Sequence, residues 1–237
     1  MDLKESEILG AAVEGHWYYS SKAKALSSIV GRDIGPSILD VGSGSAFFSR
    51  YLLTHTTARE AWCVDTSYTA EKDEMISDKC LHLRKAIDHV DASLVLLMDV
   101  IEHVDDDVGL LALYRDKVPA GTRFLVTVPA FQFLWSGHDE FLEHRRRYTL
   151  SQLEDTLRKA GLKIKKSNYF FGSVFPLAAV LRLLERVRRG SQSPRSQLTR
   201  HSPLVNATLR SICQVETFWM HHNRLAGLSV FCLAETQ

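Results

Sequence analysis

Ile38-Leu39-Asp40-Val41-Gly42-Ser43-Gly44-Ser45 is the stretch on which the reading of this 237-residue chain turns. Ser37–Val41 is apolar enough for a strand buried on both faces, and a helical segment over 45–55 follows at once. Glycines at such a junction let the chain turn sharply and bring its backbone against a ligand. A dinucleotide loop wants Gly or Ala three residues after the second glycine. Phe47 stands there, which argues against a nicotinamide dinucleotide and suits a ligand without pyrophosphate. Asp65 ends the next strand, 21 residues past Gly44, where a carboxylate can accept both ribose hydroxyls.

Outward from this loop, short β-branched and aliphatic runs alternate with helical segments, the pattern of an α/β fold with a mainly parallel sheet. The expected strands are Ser37–Val41, Ala61–Asp65, Cys80–Lys85, Ser93–Asp99, Thr122–Pro129, Leu162–Tyr169 and Leu228–Ala234. Helices are expected at 45–55, 67–78, 105–117 and 151–160. Asp105-Asp106-Asp107 suits the positive end of a helix dipole. The 151–160 helix carries a capping box in Ser151-Gln152-Leu153-Glu154 and stops at Gly161. A long insertion, about 170 to 227, precedes the last strand. It holds an apolar-then-basic helix (Val174 to Arg189, with Arg182, Arg186, Arg188 and Arg189), a loop from Gly190 to Pro203 expected to be mobile, and a second helix from Leu204 to His221.

Bulk properties narrow the class. Composition is that of an ordinary globular protein, and no apolar run approaches the roughly 20 residues of a membrane-spanning helix. Residues 1–30 read as an amphipathic, charged segment and not as a signal peptide. Cys63, Cys80, Cys213 and Cys232 are scattered, with no CxxC pair, which argues for reduced thiols in a cytoplasmic protein. Net charge is +1 but uneven: residues 1–140 hold 13 basic and 22 acidic residues, residues 141–237 hold 16 and 6. A basic C-terminal part suits an anionic substrate or surface, or simply solvates exposed helices.

Ile38–Tyr51, Asp65, and Leu94 through Val104 together resemble class I S-adenosylmethionine-dependent methyltransferases of the small-molecule type. The likeness continues through Pro119-Ala120-Gly121-Thr122, the strand ending at Pro129, Tyr148-Thr149-Leu150-Ser151 and the helix ending Ala160-Gly161-Leu162. It implies a Rossmann-like, seven-stranded, mainly parallel sheet with helices on both faces, the last strand antiparallel and a helical insertion before it. A single domain is expected: a cofactor-capping helix in 1–30, a cofactor-binding core over 36–169, a lid or substrate insertion over 170–227, and the last strand in 228–237. By the same resemblance Asp40, Gly42, Ser43 and Gly44 line the methionine end of S-adenosylmethionine, Asp65 holds its ribose and Asp88 lies near its adenine. Met98 and Asp99 end a strand beside the sulfonium. Ala46 departs from the pattern, where many members have a third glycine. Gly15-His16-Trp17-Tyr18-Tyr19-Ser20-Ser21-Lys22 resembles the aromatic-then-basic capping helix, so Trp17 and Tyr18 are expected to close over the cofactor or to anchor that helix to the core.

Methyl transfer is an in-line displacement that needs orientation above all, and a hydroxyl acceptor also needs a base. The polar run Trp135 to Glu140, then Glu143 to Tyr148, supplies the candidates. His138 titrates nearest working pH and is the first choice of base, with Asp139 as its partner or substitute; His144 and Tyr148 follow. Arg145, Arg146 and Tyr148 could instead tie this loop to the acidic helix near Asp105. His103 is read as structural and His221-His222 as a helix end. No metal is required and none is signalled. The expected acceptor is a small molecule, a sugar or a lipid-linked intermediate, anionic groups included, with peripheral membrane contact open to residues 174–189. The alternatives are an RNA or protein methyltransferase using the basic C-terminal half, a non-catalytic cofactor-binding module, and a dehydrogenase disfavoured by Phe47. Nucleic acid is disfavoured because no basic stripe is interleaved with aromatic residues.

Overall fold

The computed structural model describes residues 10–188 and 202–237. One mixed sheet takes strands β1 (Ser37–Val41), β2 (Glu60–Val64), β3 (Lys72–Ile76), β4 (Lys79–Arg84), β5 (Leu94–Met98), β6 (Arg123–Pro129), β7 (Lys163–Phe170) and β8 (Ser229–Glu235). Their order is β3-β4-β2-β1-β5-β6-β8-β7. β4, β2, β1, β5 and β6 run parallel, and β8 inserts antiparallel between β6 and β7. The expected antiparallel last strand is therefore present.

Eight strands stand where seven were expected. Residues 67–78, expected to be a helix, instead give β3, which forms a hairpin with β4 across Ser77 and Asp78. Lys72-Asp73-Glu74-Met75-Ile76 has little strand propensity, so the pairing decides its conformation. The ladder with β4 is reinforced by the Arg84–Asp73 ion pair (2.7 Å), and Arg50–Glu74 (2.5 Å) ties β3 to the helix Phe47–His55.

The helices are α1 (Trp17–Val30), α2 (Phe47–His55), α3 (Asp107–Arg115), α4 (Gly137–Phe141), α5 (Leu150–Lys159), α6 (Phe175–Arg188) and α7 (Pro203–Glu216). Strand alternation divides the core in two. Ile38, Leu94, Leu96 and Met98 join Leu26, Phe48, Leu52 and Leu53 of α1 and α2 on one face. Leu39, Val41, Val95 and Leu97 join Leu111 of α3 and Leu153 and Leu157 of α5 on the other. Helices thus cover both faces, as α/β sheets with central buried strands require.

Two helix starts are worth comparing. Asp106 caps α3, its Oδ1 accepting from the Gly109 amide at 2.7 Å, as the acidic run implied. For α5 the cap is Thr149 and not Ser151: Thr149 and Gln152 exchange side-chain and backbone hydrogen bonds. Glu154, expected in the capping box, instead accepts from Ser167, Arg158 and Arg224. Asn206 of α7 clasps the start of α1, accepting from the Trp17 amide and donating to Gly15 O, both at 2.8 Å. Arg189 and the stretch 190–201 lie outside the described residues, as do residues 1–9. Among the described residues no helix is long and apolar enough to cross a membrane.

Gly227 sits at the entry to β8, where a Cβ would run into the backbone of Phe170, whereas Gly121 (φ 81°) has open space around it. Gly227→Ala is expected to destabilise the fold by about 2–3 kcal/mol through overpacking. Gly121→Ala should cost only the left-handed backbone penalty of about 1 kcal/mol. Urea unfolding midpoints of the two variants check the contrast.

Candidate active site

β1 is the point where strand order reverses, with β2 on one side and β5 on the other. Ligands of open α/β sheets bind beyond the carboxyl ends of the strands at such a point. The glycine loop follows β1, Asp65 follows β2 and Asp99 follows β5, so the topology gathers three expected site segments along one edge. Backbone strain marks the same edge. Among the described residues, four of the six non-glycine positions with positive φ lie there: Ala46 (58°), Asp99 (56°), Phe131 (56°) and Phe171 (63°). Conformations of this kind cost about 1–3 kcal/mol each and persist where the surroundings over-determine them, often at ligand sites.

The loop after β1 is tightly specified. Gly42 and Gly44 are left-handed (φ 64° and 53°), and a Cβ on Gly42 would meet Val100 Cγ2 at 2.8 Å. The Gly42 amide donates to Val64 O at 2.8 Å, and the Gly44 amide donates to Asp65 Oδ2 at 2.8 Å. Ser43 Oγ bonds the Tyr68 hydroxyl at 2.8 Å. Ala46 keeps the left-handed backbone that a third glycine would adopt freely. Asp40 is buried and accepts from Ser49 Oγ at 2.7 Å. Burial pushes its carboxyl up to about 6, against the opposing pull of Ser49. Asp88 is exposed, four residues past β4.

Asp99 is held from two sides. Its amide donates to Thr127 O (3.0 Å), and its Oδ1 accepts from Thr127 Oγ1 (3.0 Å). Its other oxygen forms an ion pair with the fully buried Lys22 of α1. Burial disfavours both charges, but their attraction outweighs it: the carboxyl lies below its ordinary range and the ammonium above. Lys22 also donates to the Tyr18 hydroxyl at 3.3 Å, and the Tyr18 ring stacks on Phe171 at 5.1 Å. Trp17 meets Phe171 edge-on at 5.7 Å, and its buried Nε1 has no hydrogen-bond partner among the described residues. Both rings anchor α1 to the core beside the strained edge, which meets one of the two expectations for them. Met98 is buried beneath Asp99, its Sδ 3.9 Å from Thr127 Oγ1.

The loop of histidines is organised by Asp139. This fully buried carboxylate accepts from Arg147 Nε (2.6 Å) and Nη2 (3.0 Å), the Ser136 amide (2.8 Å) and His144 Nδ1 (2.9 Å). Burial would raise its pKa, but these four donors together hold it well below the usual range. Asp139 therefore fixes the loop and orients His144, its oxygens being engaged by these donors. His138 is half-buried in α4, next to Asp139 in sequence. Tyr148 is engaged likewise: its hydroxyl donates to Asp107 Oδ2 at 2.7 Å, and burial with that carboxylate drives its pKa far up. Arg145 pairs with Asp105 (2.5 Å), and Arg146 donates to Val104 O and Asp105 O (both 2.9 Å). The tying role left open for Arg145, Arg146 and Tyr148 is the one observed. His221 and His222 close a short turn after α7, as expected of a helix end.

Two residues escaped the sequence reading. Lys22 lies in the capping segment, but nothing in the sequence pairs it with Asp99, 77 positions on. Glu102 is fully buried, and neither carboxylate oxygen has a hydrogen-bond partner among the described residues. Burial and the nearby Asp99 charge push its pKa well above the ordinary value. Burial lowers that of the adjacent His103 to about 4.

Lys22→Met removes the counter-charge of Asp99, whose side chain keeps 24% of its surface in contact with water, and is expected to cost about 1.5–3 kcal/mol. Lys22→Met with Asp99→Asn should recover most of that loss. A double-mutant cycle by urea unfolding reads the coupling.

A family model described as a methyltransferase domain matches residues 16–167. No curated protein matches the chain. Among solved structures, phosphoethanolamine N-methyltransferase 2 of Haemonchus contortus, in complex with S-adenosyl-L-methionine, superposes with TM-score 0.58 at 16% identity over 99% of this chain and 56% of that one. A chain from the complex of the Haloferax volcanii Trm112 methyltransferase activator with a methyltransferase gives 0.57 at 12% identity, covering 100% and 98%. An S-adenosylmethionine-dependent methyltransferase from Mesorhizobium loti gives 0.55 at 13% identity, covering 92% and 99%. At these identities the neighbours speak for the fold alone, while the family model spans well over half of the sequence: the chain belongs to the class I, S-adenosylmethionine-dependent methyltransferases.

Proposed function

We propose that this enzyme transfers a methyl group from S-adenosylmethionine to an oxygen of a small-molecule, sugar or lipid-linked acceptor. The observation that carries the acceptor side is the Asp139-centred loop with His138 and His144, fastened by Arg145 and Arg146 to the turn that follows Asp99. An oxygen acceptor must lose a proton, and a histidine near that edge suits the task. His138 is the proposed base, His144 and Asp139 being bound to each other.

The residues of the cofactor side fit the methyl donor. Asp40 and Asp65 offer carboxylates at the edge for an amino group and ribose hydroxyls, the charge of Asp99 being met by Lys22, and Phe47 leaves no pyrophosphate cradle. When bound, S-adenosylmethionine supplies an activated methyl group on a positive sulfur. Gly42, Ser43 and Gly44 with Asp40 would hold its methionine end, Asp65 its ribose and Asp88 its adenine edge. Met98 and Asp99 would line the sulfur, and Trp17 and Tyr18 would exclude water. The insertion supports the lipid-linked option: α6 exposes Leu177, Val180, Leu181 and Leu184, an i, i+3, i+4, i+7 stripe. Phe218, Trp219 and Leu225 after α7 are exposed as well.

Incubation with methyl-labelled cofactor and cell extract, followed by fractionation, tests the reading. Label is expected in lipid or small-molecule fractions; label confined to RNA or protein would overturn it. His138→Ala should lower kcat by about 10²–10⁴-fold while calorimetric cofactor affinity stays within a factor of about two.

Asp40 adds a pH signature. Its folded-state pKa of about 6 lies above the ordinary 3.8, so the folded chain holds this proton more tightly than the unfolded one. Stability is thus lost as pH rises through that window, by about 3 kcal/mol for a shift of this size, and Asp40→Asn abolishes the loss. A cation bound beside Asp40 favours the carboxylate, so cofactor binding near about pH 5.5 should release a proton. The binding heat will then depend on the buffer's ionisation enthalpy at that pH, and will not do so at about pH 8 or in Asp40→Asn.

A further inference from the structure

We propose that Glu102, His103 and His144 form a binding site for a divalent cation of the zinc type. One ligand atom from each residue lies within 4.8 Å of the others. Ligands of a tetrahedral zinc ion with bonds of about 2.0–2.2 Å sit roughly 3.5 Å apart, so small side-chain rotations suffice to close the site.

One observation points to a missing partner, and two more show that the site around it is organised. Glu102 is fully buried with both carboxylate oxygens unpaired among the described residues, an arrangement that folding penalises unless something binds there. His144 donates from Nδ1 to Asp139, which leaves Nε2 as its ligand atom. A carboxylate behind a histidine, itself locked by Arg147, is the outer shell that orients metal-bound imidazoles. The segments that bear the ligands are also fastened together. The Arg145 amide donates to Glu102 O and its Nε to His103 O, both at 2.8 Å, and the two imidazoles meet edge-on at 4.7 Å. Two histidines and one carboxylate leave at least one coordination position open, as catalytic zinc sites do.

The turn Ile101–His103 begins two residues past Asp99, which places the site close in the chain to the carboxyl end of β5. If that reading holds, the acceptor hydroxyl takes the open position and the cation lowers its pKa, acting as a Lewis acid. Its proton passes to His138 or to water, the oxygen–carbon bond forms as the carbon–sulfur bond breaks, and the sulfur keeps the bonding pair. Cation binding itself does not depend on that reading. The expectation that no metal is signalled rested on the absence of clustered Cys and His, and 41 residues separate His103 from His144.

The test is titration of the tag-free, chelator-treated full-length protein with Co²⁺, followed by visible absorption, with Zn²⁺ as competitor. The expected result is one Co²⁺ per chain with ligand-field bands that Zn²⁺ abolishes. Glu102→Gln, His103→Gln and His144→Gln should each weaken binding by about 100-fold or more, and Asp139→Asn by about 10–100-fold. Calorimetric binding of S-adenosylmethionine shows which variants are folded, and His103→Gln, the least buried of the set, serves if the others fail. Absence of bands in the wild type, or affinity unchanged in the folded variants, overturns the site. Label found only in RNA or protein alongside intact Co²⁺ binding would overturn the acceptor reading and leave the site standing.

Discussion

The ion pair between Lys22 and Asp99 is the interaction on which the arrangement of the site depends. It joins the helix that precedes the sheet to the residue that follows the central strand β5. The Lys22 ammonium is withdrawn from water and is tolerated there only with its partner, so α1 cannot shift without leaving that buried charge unpaired. The pair thereby sets the position of Tyr18 and, through the Tyr18–Phe171 stack, of the chain where it leaves β7. Asp99 itself has a left-handed backbone (φ 56°), a conformation aspartate tolerates better than most residues.

The carboxyl edge of the sheet is thus a place where the chain accepts several costs at once. Strained backbone at Ala46, Asp99, Phe131 and Phe171, a buried Asp40 and an unpaired Glu102 would each be removed by selection for stability alone. Most of the strained residues lie on this one edge, with Ser77 in the β3–β4 hairpin and Glu143 in the loop after α4 outside it. The two helical layers pack through aliphatic side chains, with side-chain caps at the starts of α3, α5 and α7. A methyltransferase needs this concentration because alignment of donor and acceptor supplies much of its rate, and alignment requires rigid groups at fixed points.

The loop region around Asp139 shows how chemistry-bearing residues are sorted by packing. His138, Asp139, His144 and Tyr148 look equivalent as candidates in a list of titratable side chains. Burial separates them: Asp139 becomes an anchor through Arg147, Tyr148 a strut to Asp107, and His144 a ring oriented by Asp139. Each assignment follows from which donors surround the group, and those donors come from distant parts of the chain.

What the sequence determined by itself was local in origin. The buried strand before Gly42, the glycines at left-handed turns, Phe47 in place of a small residue, Asp65 at a strand end and the helix stop at Gly161 are all properties of a few neighbouring residues. They sufficed for the fold class and the cofactor. Tertiary structure decided the rest, because contacts between remote segments leave no periodic trace. The polar segment 72–76 became a strand because β4 offered it a ladder, and Thr149 displaced Ser151 as the cap of α5 through its exchange with Gln152. Lys22 found Asp99, and Glu102 and His103 found His144, only because the reversal of strand order at β1 brings the ends of several strands to one place.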